Sequence, residues 1–538
     1  MKPTIRQWKA FYAILNRREK ITISILIFII ILTGTIWYFR NTHAVPAFGG
    51  EYKEAVVGNI NLINPLIAQT DADRDIVSLV FSGLMKYDEN GNIIPDLAEN
   101  YEISQDGKTY TFYLRDAKWH DGKKVTADDV VFTILVIQNS DYKSSERINW
   151  LGVKAEKMDE KTVQLTLKES YAPFIENATL SIIPKHIFES IQPKNFALAE
   201  ANLKPIGSGP YKYKSSNRGK DESFESYSLE ANPNYYFKPF IKYLTFIFFN
   251  NENGAIGAYQ AGKVQGVNFI LAQNKNPAFQ NSIRTLRLST YFALFFNQTK
   301  NKSLADKNVR EALALGLNKK EMVEKSLLDE AEIINSIFFP FQLGYTEETK
   351  IYDFDIEKAK LLLKKSKIKN IEITVVTSDW PEFVKTAEVI KKNWENIGIK
   401  VNLEIKKANE LQQDFIRPRN YEVLLFGISS RIDPDPFPFW HSSQKRDPGL
   451  NFSLYDNSSA DKLLLEARQN MDEDLRAKKY EDFQQILTND LPAIFLYSPN
   501  YLYLLNKDVK GFDVKNISLP SKRFVQINEW YIKTKRAF

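Results

Sequence analysis

The sequence predicts an α/β protein of two or more domains or lobes, with a membrane-spanning helix at its N-terminus. First, the chain has 538 residues, which is more than one ordinary hydrophobic core accommodates. Second, strand and helix patterns alternate along much of its length. Third, residues 21–39 form an apolar run without a charge. Together these observations indicate a folded body of two or more units attached to a membrane segment.

Residues 21–39 are long enough to cross a bilayer. At about 1.5 Å per residue they span a hydrocarbon core of roughly 30 Å. Six of the seven basic residues within positions 1–40 precede the run, so we expect 1–20 to be cytoplasmic and the body to lie outside the cell membrane. The alternative is a cleavable signal peptide, whose apolar region runs for only about 7–15 residues. We predict an uncleaved, single-pass signal anchor, followed by a linker at 40–50.

Composition and charge exclude several classes of protein. The aromatic share of 13% and the hydrophobic share of 43% exclude a disordered chain. The formal net charge of +6 comes entirely from residues 1–40, where seven basic residues face one acid. The body is therefore neutral, and nucleic acid is not an expected partner. The chain has no cysteine, which excludes disulfides, thiolate catalysis and a lipid-modified cysteine.

Residues 109–133 combine a strand, a turn and the start of a helix. Apolar and polar residues alternate from Tyr110 to Leu114, which is the period of a half-buried strand. Gly122 favours a turn because glycine adopts positive φ without strain. Thr126, with Asp129 three residues later, predicts a capped helix start.

The second half of the chain predicts parallel strands. A strand over 371–376, a helix over about 382–396 and a strand over 401–405 give the order β-α-β, which implies a right-handed crossover. The apolar run 421–430 ends in small polar residues, so it predicts a buried strand that leads into a loop.

The motifs expected of an enzyme do not occur in the sequence. Asp433 and Asp435 are each followed by proline, so we expect them to shape a rigid loop and not to act as a catalytic pair. The histidines, which are scattered and form no metal-binding pair, are His43, His120, His186 and His441. We expect no enzyme activity, no catalytic residue, no metal site and no cofactor.

Several motifs occur in a fixed order along the chain. They include Trp119–Gly122 (Trp-His-Asp-Gly), Val125–Val130 (Val-Thr-Ala-Asp-Asp-Val), Gly207–Lys212 (Gly-Ser-Gly-Pro-Tyr-Lys) and Asp433–Pro436 (Asp-Pro-Asp-Pro). With these and others spread over about 50–510, the chain resembles bacterial solute-binding protein family 5. Members of that family are the extracytoplasmic receptors of ABC importers for oligopeptides, dipeptides and nickel.

The resemblance implies a large, two-lobed periplasmic-binding-protein-like fold of type II. Residues 51–283 are expected to form lobe I, with an inserted subdomain at about 80–200. Lobe II is expected at 284–505, and residues 506–538 are expected to return to lobe I. In such receptors the ligand lies between lobes that close about a hinge.

The implied function is to bind oligopeptides in the cleft and to deliver them to the permease subunits of an ABC transporter. Main-chain groups at strand ends hold an extended peptide, which leaves its side chains in roomy pockets. We expect a monomer. The residues expected to contact the ligand are Asn64, Trp380, Gly427, Ile428, Ser429, Ser430, Trp440 and Tyr501. Asn64 could instead form a plain turn, and the three aromatic residues could instead belong to the core.

The sequence departs from the family at Ile428 and Ser430. Several peptide-binding members have Trp after the glycine that matches Gly427, and some have Asp at the position of Ser430, where it pairs with the free α-amino group of the ligand. A neutral serine does not replace a buried charge pair, which is worth a few kcal/mol when broken. This leaves open a longer peptide held by its backbone alone, or a non-peptide solute such as a metal chelate or an oligosaccharide. Two further hypotheses are a transport-independent peptide sensor or adhesion receptor, and a surface hydrolase.

Overall fold

The computed structural model describes residues 12–268, 271 and 276–538, so residues 1–11 of the predicted basic segment lie outside the described residues. The predicted α/β class is confirmed. The helices are α1 Arg17–Asn41, α2 Asp71–Val80, α3 Ala127–Gln138, α4 Arg147–Trp150, α5 Phe174–Asn177, α6 Lys185–Phe188, α7 Pro193–Phe196, α8 Glu252–Gln260, α9 Lys307–Leu315, α10 Lys319–Leu327, α11 Ile356–Ser366, α12 Pro381–Asn396, α13 Ala408–Glu410, α14 Phe437–Trp440, α15 Ser458–Gln469 and α16 Glu473–Asp490. The strands are β1 His43–Ala47, β2 Glu51–Val57, β3 Met85–Tyr87, β4 Ile93–Pro95, β5 Ala98–Ile103, β6 Thr109–Leu114, β7 Lys154–Lys157, β8 Thr162–Thr166, β9 Tyr211–Arg218, β10 Phe224–Ala231, β11 Tyr243–Phe249, β12 Gly266–Val267, β13 Ile283–Leu288, β14 Thr290–Phe296, β15 Ala331–Ile333, β16 Glu372–Ser378, β17 Lys400–Lys406, β18 Val423–Ser429, β19 Ala493–Leu505, β20 Asn516–Ile517 and β21 Lys533–Ala537.

Helix α1 contains the predicted apolar run and extends beyond it at both ends. It begins after a capping box, in which the Glu19 N–H donates to Asn16 Oδ1 (2.9 Å) and the Asn16 N–H donates to the Glu19 carboxylate (2.8 Å). None of its side chains is buried by the body. By length and composition the helix is able to cross a membrane, a property that a signal sequence shares.

Strand β1 lies within the segment predicted as a linker and pairs antiparallel with β21 at the C-terminus. Arg536 supports this pairing, because its Nη1 donates to the carbonyl (3.0 Å) and to the hydroxyl (3.1 Å) of Thr42. Its guanidinium lies 4.1 Å from the centre of the Phe39 ring. Phe538 contacts Trp37, with ring centres 5.7 Å apart. The end of the chain is therefore fastened to the end of α1, and we call β1 and β21 the terminal strand pair.

One large sheet runs through both halves of the body, with the strand order β17-β16-β18-β14-β19-β12-β2-β11-β10-β9. Strands β16 and β17 are parallel and are joined through α12, so the predicted β-α-β unit is confirmed. The predicted buried strand at 421–430 is β18, which lies between β14 and β16. The 13-residue β19 pairs with β14 along its first half and with β13 and β12 along its second half.

A smaller sheet has the strand order β5-β6-β8-β7. Its strand β6 buries alternate residues, as predicted for the strand within 109–133. Gly122 follows in the turn with a φ of +92°. Helix α3 then begins after Thr126, whose N–H donates to Asp129 Oδ2 (2.9 Å). The predicted strand, turn and capped helix are confirmed.

The hydrophobic core is divided between the two halves of the body. One cluster of buried residues draws on positions 52–286 and 501–530, and two others draw on positions 291–497. Lobe I denotes the part around the first cluster, which includes Trp530 of the tail, and lobe II the part around the other two. The chain crosses between the lobes at Ser289, between β13 and β14, and at Ser498–Pro499 within β19.

Arg523 holds the tail against lobe I through a buried ion-pair network. Its Nη2 donates to Glu54 Oε1 (2.9 Å) and its Nη1 donates to Asp75 Oδ1 (2.7 Å), and the three side chains are at most 1% exposed. The Tyr503 hydroxyl donates to the other Glu54 oxygen (2.7 Å). Burial alone lowers the pKa of a guanidinium, but the charges of Asp75 and Glu54 raise the pKa of Arg523 above its ordinary value. The network joins β2, α2 and the tail.

Replacement of Arg523 is expected to destabilise the protein strongly. Arg523→Met leaves two buried carboxylates without their cation, and breaking a buried pair costs about 3–5 kcal/mol of unfolding free energy. Urea unfolding of the full chain in detergent, followed by tryptophan fluorescence, measures the loss. The control is Arg417→Met, at an arginine whose side chain is 52% exposed, with an expected change below about 1 kcal/mol. Equal stability of the two variants would contradict this expectation.

Removal of residues 533–538 is expected to loosen the segment after α1. Without β21, β1 loses its partner strand, and local opening lets a protease reach its backbone. Limited chymotrypsin digestion of the full chain in detergent should then cut near Phe48 at least about tenfold faster in the truncated protein. Lys535→Ala, which keeps the backbone pairing, serves as the control. Unchanged cleavage after truncation would show that the terminal strand pair does not protect this segment.

Candidate ligand-binding cleft

Two adjoining cavities between the lobes are lined in part by the same residues. The larger has a volume of about 660 Å³ and the smaller about 360 Å³, which fall within the usual range for small-ligand sites of about 300–1,000 Å³. Ser145 of lobe I and Ser429, Ser430 and Arg431 of lobe II line both cavities. These four residues therefore lie at the border between the two cavities of one cleft.

The end of β18 brings two serines to this border. Ser429 is exposed, and its hydroxyl contacts Thr290 Oγ1 (2.8 Å). Ser430 is only 8% exposed. Its hydroxyl donates to the Ser289 carbonyl (3.1 Å) and accepts from Gln342 Nε2 (2.8 Å). The Ser430 hydroxyl is thus hydrogen-bonded within the protein itself.

The loop that lines the cleft is tied to the places where the chain crosses between the lobes. The Ser289 hydroxyl donates to the Ser430 carbonyl (2.6 Å), and the Ser430 N–H donates to the Ser289 carbonyl (2.7 Å). At the second crossing, the Ser498 hydroxyl donates to the Leu288 carbonyl (3.0 Å). Hydrogen bonds therefore connect both crossings and the first residues of the cleft loop.

The lobes contact each other along the larger cavity. From lobe I, the Tyr171 hydroxyl donates to Asp435 Oδ2 (2.8 Å) and the Ala172 N–H donates to the Arg468 carbonyl (2.9 Å). The guanidinium of Arg468 lies 4.6 Å from the centre of the Tyr171 ring and forms an ion pair with Asp435 (3.1 Å). The structure is therefore a conformation in which the two lobes touch.

Asp433 and Asp435 hold the loop after β18 in place. Asp433 forms an ion pair with Arg476 from α16, and Asp435 forms its ion pair with Arg468 from α15. Burial raises the pKa of Asp433, and the charge of Arg476 opposes this rise. The prediction that these acids shape the loop is confirmed, because each is fixed by an arginine of a neighbouring helix.

Of the residues expected to contact the ligand, Ser429 and Ser430 line both cavities. Gly427 and Ile428 lie further back in β18. A Cβ on Gly427 would come within 2.5 Å of the Phe292 ring, so glycine permits close packing there. Ile428 is buried in the core of lobe II. Contact of Gly427 and Ile428 with a ligand stays a prediction.

Asn64 is buried and shapes a turn beside the cleft. Its amide donates to Asn202 Oδ1 (2.9 Å), and its Oδ1 accepts from the Leu66 N–H (3.0 Å). Pro65, the next residue, lines the smaller cavity, whereas Asn64 lines neither. Contact of Asn64 with a ligand stays a prediction.

The three aromatic residues expected in the cleft line neither cavity. Trp440 is 1% exposed in the core of lobe II, and Tyr501 is 3% exposed in the core of lobe I. Trp380 is 61% exposed and stacks on Phe383 at the start of α12, with ring centres 6.0 Å apart. Their contact with a ligand also stays a prediction.

Arg431 is a cleft residue that sequence reasoning missed. It directly follows Ser430, so its position after the strand was the available signal. Its Nη1 donates to Asn177 Oδ1 of lobe I (2.6 Å), and this hydrogen bond crosses the cleft. Although burial alone would lower the pKa of Arg431, nearby carboxylates, Glu176 first among them, raise it.

Glu176 and Lys522 were also missed, because no local pattern brings α5 or the tail to the cleft. Glu176 is 2% exposed and accepts a hydrogen bond from the Tyr87 hydroxyl. Burial raises the pKa of Glu176 to about 7. Lys522 Nζ lies 4.7 Å from the centre of the Tyr87 ring, and burial lowers the pKa of Lys522 to about 8. Glu176, Tyr87 and Lys522 all line the smaller cavity.

His120 of the Trp-His-Asp-Gly motif has a structural role. Its Nε2–H donates to the Gly209 carbonyl (3.1 Å), and its Nδ1 accepts from the Gly207 N–H (3.1 Å). Burial lowers the pKa of His120 to about 4, which keeps the ring neutral with one donor and one acceptor. Within the described ranges, no group of three or more His, Asp or Glu side chains is placed to hold a metal ion.

Sequence comparison relates the chain to receptors for small solutes. The family model described as bacterial extracellular solute-binding proteins, family 5 middle, matches residues 92–449. The oligopeptide-binding protein AppA of Bacillus subtilis is 29% identical and covers 90% of this chain and 92% of its own length. The dipeptide-binding protein of Escherichia coli is 27% identical and covers 78% of this chain and 84% of its own length.

Solved structures share the architecture. AppA of Bacillus subtilis, in complex with a nonapeptide, has a TM-score of 0.72 at 28% identity, over 91% of this chain and 100% of AppA. NikZ of Campylobacter jejuni, in complex with Ni(L-His), has a TM-score of 0.72 at 30% identity, over 89% of this chain and 99% of NikZ. The two-lobed fold expected from the sequence is confirmed. The chain therefore belongs to the bacterial extracellular solute-binding proteins of family 5.

Proposed function

We propose that the protein is the extracytoplasmic substrate-binding protein of an ABC importer and binds oligopeptides in the cleft between its lobes. The observation that carries this proposal is the pair of adjoining cavities, of about 660 and 360 Å³, lined by both lobes. Two connected spaces suit an extended chain better than a single compact solute. AppA, which is named an oligopeptide-binding protein and holds a nonapeptide in its solved structure, supports the ligand class.

The proposed mechanism is closure of the lobes about the two chain crossings. A ligand that contacts both lobes does so fully only when they touch, so it shifts the equilibrium toward the closed state. The contacts of Tyr171 with Asp435 and of Arg431 with Asn177 then form across the cleft. The hydrogen bonds between Ser289 and Ser430 support this mechanism, because they couple the cleft loop to the hinge. The role is binding and delivery, without chemical conversion.

We also propose that α1 stays uncleaved and anchors a monomeric body outside the cytoplasmic membrane, next to the permease subunits. Two features support this. The basic residues before the apolar run favour a cytoplasmic N-terminus. The terminal strand pair joins the body directly to the end of α1, whereas a cleavable signal peptide is not expected to be joined to the folded body in this way. The lobes are proposed to divide at the two chain crossings, which places 284–288 and 499–505 in lobe I and not in lobe II as predicted, with the tail returning to lobe I.

Native mass spectrometry of the full chain, purified in detergent from bacteria, tests the ligand class. We expect co-purified peptides of mixed sequence and narrow length, because the cleft fixes the length and main-chain contacts tolerate the sequence. Ser145→Trp fills the border between the cavities and should remove most of these peptides. Ser140→Trp, an exposed site on the same lobe outside both cavities, should keep them. An empty protein whose Tm no peptide library raises, or one loaded with a metal chelate or saccharide, would refute the peptide assignment.

Ser430→Asp is expected to destabilise the protein, although some relatives of the family carry an acid there. The new carboxylate would be buried against the Ser289 carbonyl, and burying a charge beside an acceptor costs several kcal/mol, here about 3 kcal/mol. Ser429→Asp, one residue earlier and exposed, should cost less than about 1 kcal/mol. Urea unfolding of both variants measures the difference. Equal stability of Ser430→Asp and Ser429→Asp would contradict this expectation.

A further inference from the structure

Among the described residues, the two acids that follow β18 in lobe II are already paired with arginines. The hydroxyl of Ser430 is hydrogen-bonded within the protein. The carboxylates of Asp433 and Asp435, which line the larger cavity, form ion pairs with Arg476 and Arg468. The charge that this loop does present to the border of the cavities is positive.

Arg431 provides that charge. Its guanidinium has one hydrogen bond among the described residues, to an amide oxygen, Asn177 Oδ1 (2.6 Å), and forms no ion pair with a described residue. A guanidinium carries five N–H donors, so most of them remain for a ligand. Because Arg431 lines both cavities, a group bound to it is within reach of either.

Lys522 adds a second cation from the opposite side of the cleft. It lines the smaller cavity together with Arg431, and its ammonium lies over the Tyr87 ring (4.7 Å to the ring centre). Among the described residues it forms no ion pair. Burial lowers the pKa of Lys522 to about 8, which shows that its charge is poorly solvated in this cavity. An anion placed beside it would stabilise the charged form.

The acids around the smaller cavity do not remove this positive charge fully. Burial raises the pKa of Glu176 to about 7 against the opposing charges of Arg431 and Lys522, so Glu176 holds a proton more readily than an ordinary carboxyl group. Glu146 also lines the cavity and accepts from Asn149 Nδ2 (3.0 Å). A third cation on the lining, Arg74, forms an ion pair with Asp71 (3.2 Å), a residue that does not line the cavity.

We propose that Arg431 and Lys522 form an anion-binding subsite in the smaller cavity that takes a carboxylate group of the ligand. A planar carboxylate accepts two parallel N–H bonds from a guanidinium, and a lysine adds a compact charge at its side. The inference rests on the proposed function: in an oligopeptide the group is the C-terminal carboxylate. The chain then runs into the larger cavity, past Phe437 and Phe439.

Peptides in three chemical forms test the subsite. Mixtures of tripeptides to hexapeptides are prepared with free ends, with an amidated C-terminus and with an acetylated N-terminus, and binding to the full chain in detergent is measured by calorimetry. Amidation is expected to weaken binding at least about tenfold, and acetylation by less than about threefold. In Arg431→Gln and in Lys522→Gln the effect of amidation should fall below about threefold. Arg417→Gln, an exposed arginine of lobe II, should behave as the unmodified protein.

Each outcome decides between the subsite and the peptide function. Equal binding of free and amidated peptides overturns the subsite, as does an amidation effect that persists in Arg431→Gln at unchanged Tm. Because Lys522 comes from a different segment, Lys522→Gln keeps the test decisive if Arg431→Gln fails to fold. A third outcome is that no peptide binds, but organic acids bind more tightly than their amides and Arg431→Gln removes this difference. That outcome would support the subsite and refute the peptide function. If neither class binds, both are overturned.

Discussion

The rest of the structure depends on β19, because the backbone hydrogen bonds of this one strand are divided between the two lobes. Its first half pairs with β14 and its second half with β13, so this 13-residue strand carries the large sheet from lobe II into lobe I. Because a strand advances by a fixed distance of about 3.3 Å per residue, the position of Ser498–Pro499 within β19 sets the point along the strand where the lobes separate. The second crossing, at Ser289, is hydrogen-bonded to Ser430. The cleft loop consequently lies beside the hinge and not at the tips of the lobes.

Two arginines show how the surroundings of a buried charge decide its role. Arg523 lies between Glu54 and Asp75, with all three side chains removed from water. Its charge is already neutralised by the protein, and the network joins the tail to lobe I. Arg431 reaches a cavity instead and has an amide oxygen as its hydrogen-bond partner. Glu176 lies close enough to raise the pKa of Arg431 but no described carboxylate forms an ion pair with it, so the cleft provides an electrostatic contact that a ligand is able to complete.

The C-terminal end of the chain meets the end of α1 and the strand that follows it. Pairing of β1 with β21, the hydrogen bonds of Arg536 to Thr42, and the contact of Phe538 with Trp37 all lie within a few residues of that helix. A body held in this way has less freedom to rotate than one on a flexible tether, because the segment between helix and body is a paired strand. With α1 in a membrane, as proposed, the cleft would keep a preferred orientation relative to the bilayer and to a permease beside it.

By itself the sequence determined the features that depend on neighbours along the chain. Alternation from Tyr110 to Leu114, the cap at Thr126, the β-α-β order and the strand that ends at Ser429 were all predictable, because local periodicity and capping act over a few residues. Resemblance in ordered motifs added the two-lobed fold. Tertiary structure alone decided the rest. It buried Trp440 and Tyr501 in the cores and engaged the Ser430 hydroxyl in a hydrogen bond within the protein. It also brought Lys522 of the tail to the same cavity as Arg431. These outcomes depend on contacts between segments far apart in the sequence, and no local pattern records which distant segments meet.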